Sequence, residues 1–150
     1  MKRILVATDG SPSAVEATRF GIELAAEHEA ELVVAHVVPE IDVVPATVLQ
    51  IGGVFPHEPT AHDHELLEDA GALAAEQGVT ATTALLRGDT VPAIVAYASA
   101  RNVDLIVVGS RGRGAVTGAL LGSVSQRLLH EAARPVLVVR AATVATEAAR

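Results

Sequence analysis

Five short apolar runs recur along the chain with helix-like periodicity between them, and this alternation constrains the fold more than any other feature. The runs are Arg3–Thr8 (RILVAT), Glu31–Val38 (ELVVAHVV), Val79–Leu86, Asp104–Val108 and Val136–Val139. Unbroken runs of branched aliphatics fit strands buried on both faces, the signature of parallel sheets. Val79–Leu86 alternates weakly and is rich in Thr and Val, which suits an edge position. Between the first two runs, Ser11 offers an N-cap and Pro12 a first helical position. That helix reads to about Glu29, with Ala14, Ala17, Phe20, Ile22, Leu24 and Ala25 as its buried stripe.

Helical spacing returns from Thr60 to Gln77 through Leu66, Leu67, Ala70, Leu73 and Ala74, and Gly78 stops it. Asp89 or Thr90 caps a third helix that ends near Arg101-Asn102. Ser123 with Gln126 three residues on has the capping-box pattern for a fourth, running to about Ala133 ahead of Pro135. Residues 39–59 hold four prolines and two adjacent glycines with little periodicity, and read as the one long irregular segment. The order β-α-β-loop-α-β-α-β-α-β predicts a single doubly wound, Rossmann-like α/β domain over residues 1–140. It has a parallel sheet, helices on both faces and a frayed tail from 141 to 150.

Composition narrows the function. The net charge is −7 and the arginines are scattered, so no basic stripe is available for a nucleic-acid backbone. Phe20, Phe55 and Tyr97 are the only aromatic residues, too few for base-stacking platforms. Cysteine is absent, which removes disulfides and thiolate metal sites. The opening MKRILVATDG meets Asp9 too early for a signal peptide, and no apolar run reaches the ~20 residues that span a bilayer. The expectation is a cytoplasmic protein with no membrane partner.

Two glycine clusters, Gly109–Gly114 and Gly118–Gly122, follow the fourth run. In open parallel sheets ligands sit beyond the carboxyl ends of the strands, where the strand order reverses. Backbone N–H groups of a glycine loop can form an anion nest, and the helix start at Gly122-Ser123 adds orphan donors and a dipole. Arg111 and Arg113 could neutralise phosphates or simply lie in solvent. Established phosphate motifs do not fit: there is no Gly-Lys-Ser/Thr, and after Gly112 and Gly114 the dinucleotide pattern needs a glycine where Thr117 stands. The residues alone lead to an anion-binding loop.

The spacing Gly109-x2-Gly112-x9-Gly122-Ser123 resembles that of the ATP-binding branch of the universal stress protein family. The opening ILVATDGSPSA, the HVV at 36–38 and the closing GSVSQRLLHEAARPVLVV are similar to that family's first strand and turn, second strand end, and last helix and strand. The resemblance implies a five-stranded sheet ordered 3-2-1-4-5. It also implies an adenine nucleotide as ligand, ATP with or without Mg²⁺, and a homodimer formed through Pro135–Arg140. By position it implies polar contacts of ribose or adenine at Asp9 and an adenine between Val37 and Val108. Ribose and phosphates would meet Gly109, Gly112, Gly122, Ser123, Val124 and Ser125, with Arg111 and Arg113 beside them.

The implied role is a regulatory or signalling module in stress response, with slow ATP hydrolysis conceivable but no general base in view. The alternatives are an adenylating or ATP-hydrolysing enzyme of the related ATP-pyrophosphatase type, or a dimerisation module with an empty crevice. The first would carry Ser-Gly-Gly-x-Asp-Ser after the first strand, where this chain has Thr8-Asp9-Gly10-Ser11-Pro12-Ser13. The stretch from His57 to His64 matches no standard metal-ligand spacing and reads as an exposed loop and helix start. His36, near a strand end, reads as a packed or hydrogen-bonded histidine.

Overall fold

The computed structural model describes residues 1–49, 52–112 and 121–141. The elements in order are β1 (Arg3–Ala7), α1 (Pro12–His28), β2 (Glu31–Val38), β3 (Ile41–Val44), α2 (Ala46–Leu49), β4 (Gly53–Pro56), α3 (Ala61–Glu76), β5 (Ala81–Arg87), α4 (Thr90–Ala100), β6 (Leu105–Gly109), α5 (Ser123–Glu131) and β7 (Val136–Val139). Five of the strands form one sheet in the order β5-β2-β1-β6-β7, and every pairing in it is parallel. Numbered among themselves, these strands lie in the expected order 3-2-1-4-5.

Alternate residues of each strand serve opposite layers, because successive side chains of a strand point to opposite faces. Ile4 and Val6 join Leu32, Val34 and Val107 under α1 and α3, with Ala17, Ile22, Leu67 and Ala74 from those helices. Leu5 joins Val33, Ile106 and Val108 under α4 and α5, with Ile94, Ala98 and Leu128. Both layers are buried, and each fully buried aliphatic side chain contributes roughly 1.5–3 kcal/mol. Small residues at Ala14, Ala17 and Gly21 let α1 approach the sheet. Asp104 fastens the start of β1 to the start of β6, its carboxylate accepting the N–H groups of Lys2 at 2.6 Å and Arg3 at 2.9 Å.

Three local expectations are corrected. The segment 39–59 is not irregular throughout: β3 and β4 pair antiparallel, with Val43 opposite Val54. Its strands are four residues long and largely exposed on both faces, so neither a buried run nor an alternation marks them. The cap of α5 is Gly122, not Ser123, and no side chain caps it. Gly122 occupies the extended cap position and its carbonyl accepts the Gln126 N–H at 3.1 Å, which makes Ser123 the first helical residue. Phe20 is exposed, not part of the α1 stripe. It stands two positions before Ile22, about 200° around the helix. Of the tail expected to fray, residues 141–150, all but Ala141 lie outside the described residues.

Candidate functional site

The sheet reverses its winding at β1, which lies between β2 and β6. In the register Ala7 sits beside both Ala35 and Val108, so β1 ends within one residue of β6, while β2 runs on to Val38. Beyond those ends lies a crevice of about 100 Å³. Its walls are apolar, with Ala7, Ala35, Val37, Ile94, Val108 and Val124. Its polar lining comes from Thr8, Asp9, Ser11, His36, Thr90, Arg111, Gly112 and Ser125. A flat, weakly polar ring suits the apolar walls, and an anion suits the side that carries Arg111.

Asp9 follows β1 into a tight turn. Its carboxylate accepts the Ser11 N–H at 2.9 Å, and Gly10 takes a φ of 77°, a conformation that glycine adopts without strain. The Ser11 hydroxyl then accepts the Ala14 N–H as the cap of α1.

The glycine loop is anchored at both ends. Ser110 donates its N–H to the carbonyl of Val139 at 2.7 Å, and its own carbonyl accepts the Gly122 N–H at 2.6 Å. The Ser125 hydroxyl reaches the carbonyls of both Ser110 and Gly122 at 3.0 Å. Arg111 is fixed by the start of α1. Its carbonyl accepts the hydroxyls of Ser13 at 2.5 Å and Ser11 at 3.2 Å, and its N–H donates to Ser13 Oγ at 3.2 Å. The loop therefore leaves the sheet at a fixed place and returns to it at α5.

The glycines have unequal roles. A Cβ at Gly109 would lie 2.7 Å from the backbone of Ser13 and Ala14, so this glycine is required by α1 packing against β6. Among the described residues, a Cβ at Gly112 would meet only the Asp9 carboxylate, 2.8 Å away at Oδ2. One at Gly122 would press at 3.3–3.4 Å on the backbone of Ser110, Arg111 and Gly112.

Of the residues singled out in the sequence, Asp9, Val37, Val108, Gly109, Arg111, Gly112, Val124 and Ser125 all line the one crevice. Gly122 packs against its rim, and Ser123 is exposed on the first turn of α5. Arg113 lies outside the described residues. Ser125 is 2% exposed and its single proton is shared between two carbonyls, so in this geometry it closes the loop and has no proton left to donate to a ligand.

Sequence reasoning missed Ser13, because its partner Arg111 lies 98 residues away and no local pattern links them. It also missed Thr90 and Ile94, which bring α4 to the crevice wall.

His36 is hydrogen-bonded, as read. Its Nδ1 lies 2.9 Å from the carbonyl of Thr8 and its Nε2 2.8 Å from Asp63 Oδ1. Asp63 is the third residue of α3 and completes a capping box with Thr60, whose N–H and hydroxyl reach its Oδ2 at 2.8 and 2.9 Å. The backbone N–H of Thr60, and then the His36 ring, hold the Asp63 carboxyl well below the usual carboxylate range. His57 instead pairs with Asp42 across the β3–β4 hairpin at 2.9 Å. Among the described residues no group of His, Asp and Glu is placed to hold a metal ion, and no helix is long and apolar enough to cross a membrane.

Comparison with known proteins gives a consistent picture. The model of the universal stress protein family matches residues 1–140. The universal stress protein YxiE of Bacillus subtilis is 37% identical over 145 residues, covering 92% of this chain and 98% of that protein. The fold is similar to that of the universal stress protein UspA from Lactobacillus plantarum, with a TM-score of 0.77 at 23% identity over 93% of this chain and 97% of that one. A universal stress protein solved in complex with cAMP matches with a TM-score of 0.70 at 28% identity, again over 93% and 97% of the two chains. With a matching family model over nearly its whole length, the chain belongs to the universal stress protein family.

Proposed function

We propose that this protein is an adenine-nucleotide-binding member of its family, of the ATP-binding branch, and acts as a regulatory module in stress response. The observation that carries the proposal is the joining of an apolar slot to an anchored glycine loop at the point where the sheet reverses. The base lies between Val37 and Val108, ribose or base polar atoms meet Asp9, and phosphates follow the loop from Gly109 and Gly112 towards the first-turn N–H groups of α5 at Ser123 and Val124. Arg111, which lines the crevice, supplies positive charge. The cAMP complex of the 28%-identical neighbour supports an adenine ligand in this architecture.

Mg²⁺ fits as a companion of a triphosphate. Asp9 is the carboxylate lining the crevice, and one carboxylate with phosphate oxygens and water is a common Mg²⁺ environment. The edge strand β7 is apolar and half-buried, and pairing of two copies along it makes a homodimer, since an open apolar edge favours strand addition.

The test is to denature the purified protein, identify any released ligand by mass spectrometry, and titrate ATP, AMP and cAMP into the emptied protein by calorimetry. An adenine nucleotide in the released fraction, and saturable binding that Gly112→Glu removes from a still-folded protein, are the expected results. No released nucleotide, with no thermal stabilisation at about millimolar ATP, overturns the proposal.

A further inference from the structure

The segment between β2 and α3 stands away from the body of the domain. Among the described residues its strands β3 and β4 pack on each other and make no extended contact with the five-stranded sheet or with α1, α3, α4 or α5. The root of this arm is closed by the His57 N–H on the Glu40 carbonyl at 2.9 Å. Arg87, the last residue of β5, holds that root through the His57 carbonyl, also at 2.9 Å.

The two faces of the arm differ. Directly opposed residues of an antiparallel pair share a face, and successive residues of a strand change face. Asp42 stands opposite Phe55. On that face Asp42 pairs with His57 at 2.9 Å, and the Phe55 ring lies over Gly53, 3.4 Å from where a Cβ would stand. The other face is made of Ile41 opposite Pro56 and Val43 opposite Val54, with no polar side chain among them. Pro56 is exposed, as are Ile41 at 52%, Val43 at 71% and Val54 at 61%. A two-stranded hairpin is marginal in water by itself and becomes stable when a further strand or layer packs on it. An open apolar face on such an arm is the face that a partner covers.

Charge decides which partner. Residues 39–59 include Glu40, Asp42 and Glu58 and no lysine or arginine. All three carboxylates are exposed, and Glu40 and Ile41 line one cavity with Asp89, the cap of α4. A second copy would set these carboxylates against their like, on a chain of net charge −7. Pairing through β7 leaves the arm uncovered as well. That strand is at one edge of the sheet, while the arm leaves β2 and is held by β5 at the other. The complement of this surface is an aliphatic centre with a positive border.

We propose that the β3–β4 hairpin is a docking arm whose apolar face takes a partner protein, one that presents an extended segment of aliphatic side chains bordered by lysine or arginine. The aliphatic groups cover Ile41, Val43, Val54 and Pro56, and the cations meet Glu40, Asp42 and Glu58. Among the described residues no other strand pairs with the outer edges of the hairpin, so an extended chain can also add there through its main chain. The arm does not line the crevice, so this inference is independent of the nucleotide reading.

The probes are two synthetic peptides of about eight residues, one alternating valine with lysine and one alternating valine with glutamate. Each is titrated to about millimolar concentration into the isotope-labelled wild-type protein, and amide shifts are followed. Saturable shifts at residues 41–44 and 53–56 are expected with the lysine peptide alone, weakening about tenfold between about 50 and 500 mM salt. Val43→Glu combined with Val54→Glu is expected to remove them, with the melting temperature and circular dichroism of the wild type retained. Equal binding of the glutamate peptide, or shifts that lie elsewhere, overturns the proposal. So does an absence of binding to the wild type, a result that needs no variant. Light scattering completes the test, because a β7 dimer is common to both proteins. A wild type that assembles further than the double variant shows that a second copy covers the face, which also overturns the proposal.

Discussion

The carbonyl of Ser110 accepts the backbone N–H of Gly122 at 2.6 Å, which joins the end of β6 to the cap of α5 and turns the intervening glycine loop into a closed ring. Fixing both ends lowers the entropic cost of ordering the segment between them around a ligand.

Ser125 is the clasp on that ring. Its hydroxyl reaches the carbonyls of Ser110 and Gly122, both at 3.0 Å. Ser125→Ala keeps the volume of the site nearly unchanged and leaves the Ser110 carbonyl its bond to Gly122. A stability loss of about 1 kcal/mol is expected in urea unfolding, the usual worth of one buried hydrogen bond. Nucleotide affinity is expected to fall further than stability does, because the N–H donors of the first turn of α5 lose their fixed position. Unchanged affinity by calorimetry would show that the loop holds its shape without this side chain.

Gly109 and Gly112 belong to one motif, but alanine substitution should separate them. At Gly109 the new methyl meets the α1 backbone at 2.7 Å, and a packed helix cannot yield cheaply, so a loss of roughly 1–3 kcal/mol is expected. At Gly112 it meets the end of the Asp9 side chain at 2.8 Å, which can swing away. Thermal melts should therefore show Gly109→Ala clearly destabilised and Gly112→Ala close to wild type. ATP titration should show Gly112→Ala weakened, because Asp9 has been moved. Equal melting temperatures for the two would contradict this division.

How much of this was legible in the sequence depends on the distance over which each feature is written. The strands announce themselves locally, because burial on both faces requires unbroken runs such as ILVA in β1 and VVAHVV in β2. The crevice residues Val37, Val108, Gly109 and Gly112 follow from those strand ends and from the spacing of the loop. The tethers do not. Ser13 reads as an ordinary residue of the first helical turn, and only the fold brings it to Arg111. Asp63 is visible as the partner of Thr60 in a capping box, but its second partner, His36, lies across the layer between helix and sheet. The hairpin of β3 and β4 was hidden for the opposite reason: its exposed strands have no buried face to impose a pattern.

The Asp63 carboxyl gives stability a defined acid dependence. The Thr60 N–H and the His36 ring hold its folded-state pKa below the ordinary value. A depressed carboxyl contributes stability that is fully present above the unfolded value, about 3.9, and is lost as pH falls from there towards the folded value. Below about pH 4 the wild type should therefore lose stability more steeply than Asp63→Asn, whose amide does not titrate. Above about pH 5, where that contribution is fully present, Asp63→Asn is expected to be the less stable by about 1 kcal/mol through its weaker cap, and the gap should close as pH falls. Chemical unfolding at a series of pH values checks both, and parallel curves would mean that Asp63 titrates normally.

Ser13 offers the sharpest separation between folding and binding, because it serves the loop and nothing else in its helix. It is 4% exposed, and its hydroxyl both donates to the Arg111 carbonyl and accepts the Arg111 N–H. In Ser13→Ala the carbonyl keeps the Ser11 hydroxyl at 3.2 Å, but the N–H loses its partner in a half-buried place. An unpaired buried donor costs about 1–3 kcal/mol, and the chain can relieve that cost by letting the peptide at Arg111 turn outward to water. The methyl of alanine fits where the serine Cβ already lies, so α1 and the sheet should be unaffected. The expected outcome is a modest drop in thermal stability, preserved amide protection in β1 and β6 by hydrogen exchange, and faster exchange at Arg111 and Gly112 with a clear loss of ATP affinity. If the exchange rates at Arg111 and Gly112 stay as in the wild type while affinity is retained, the loop is fixed by Ser110 and Gly122 alone, and the contact with α1 follows from packing and not from function.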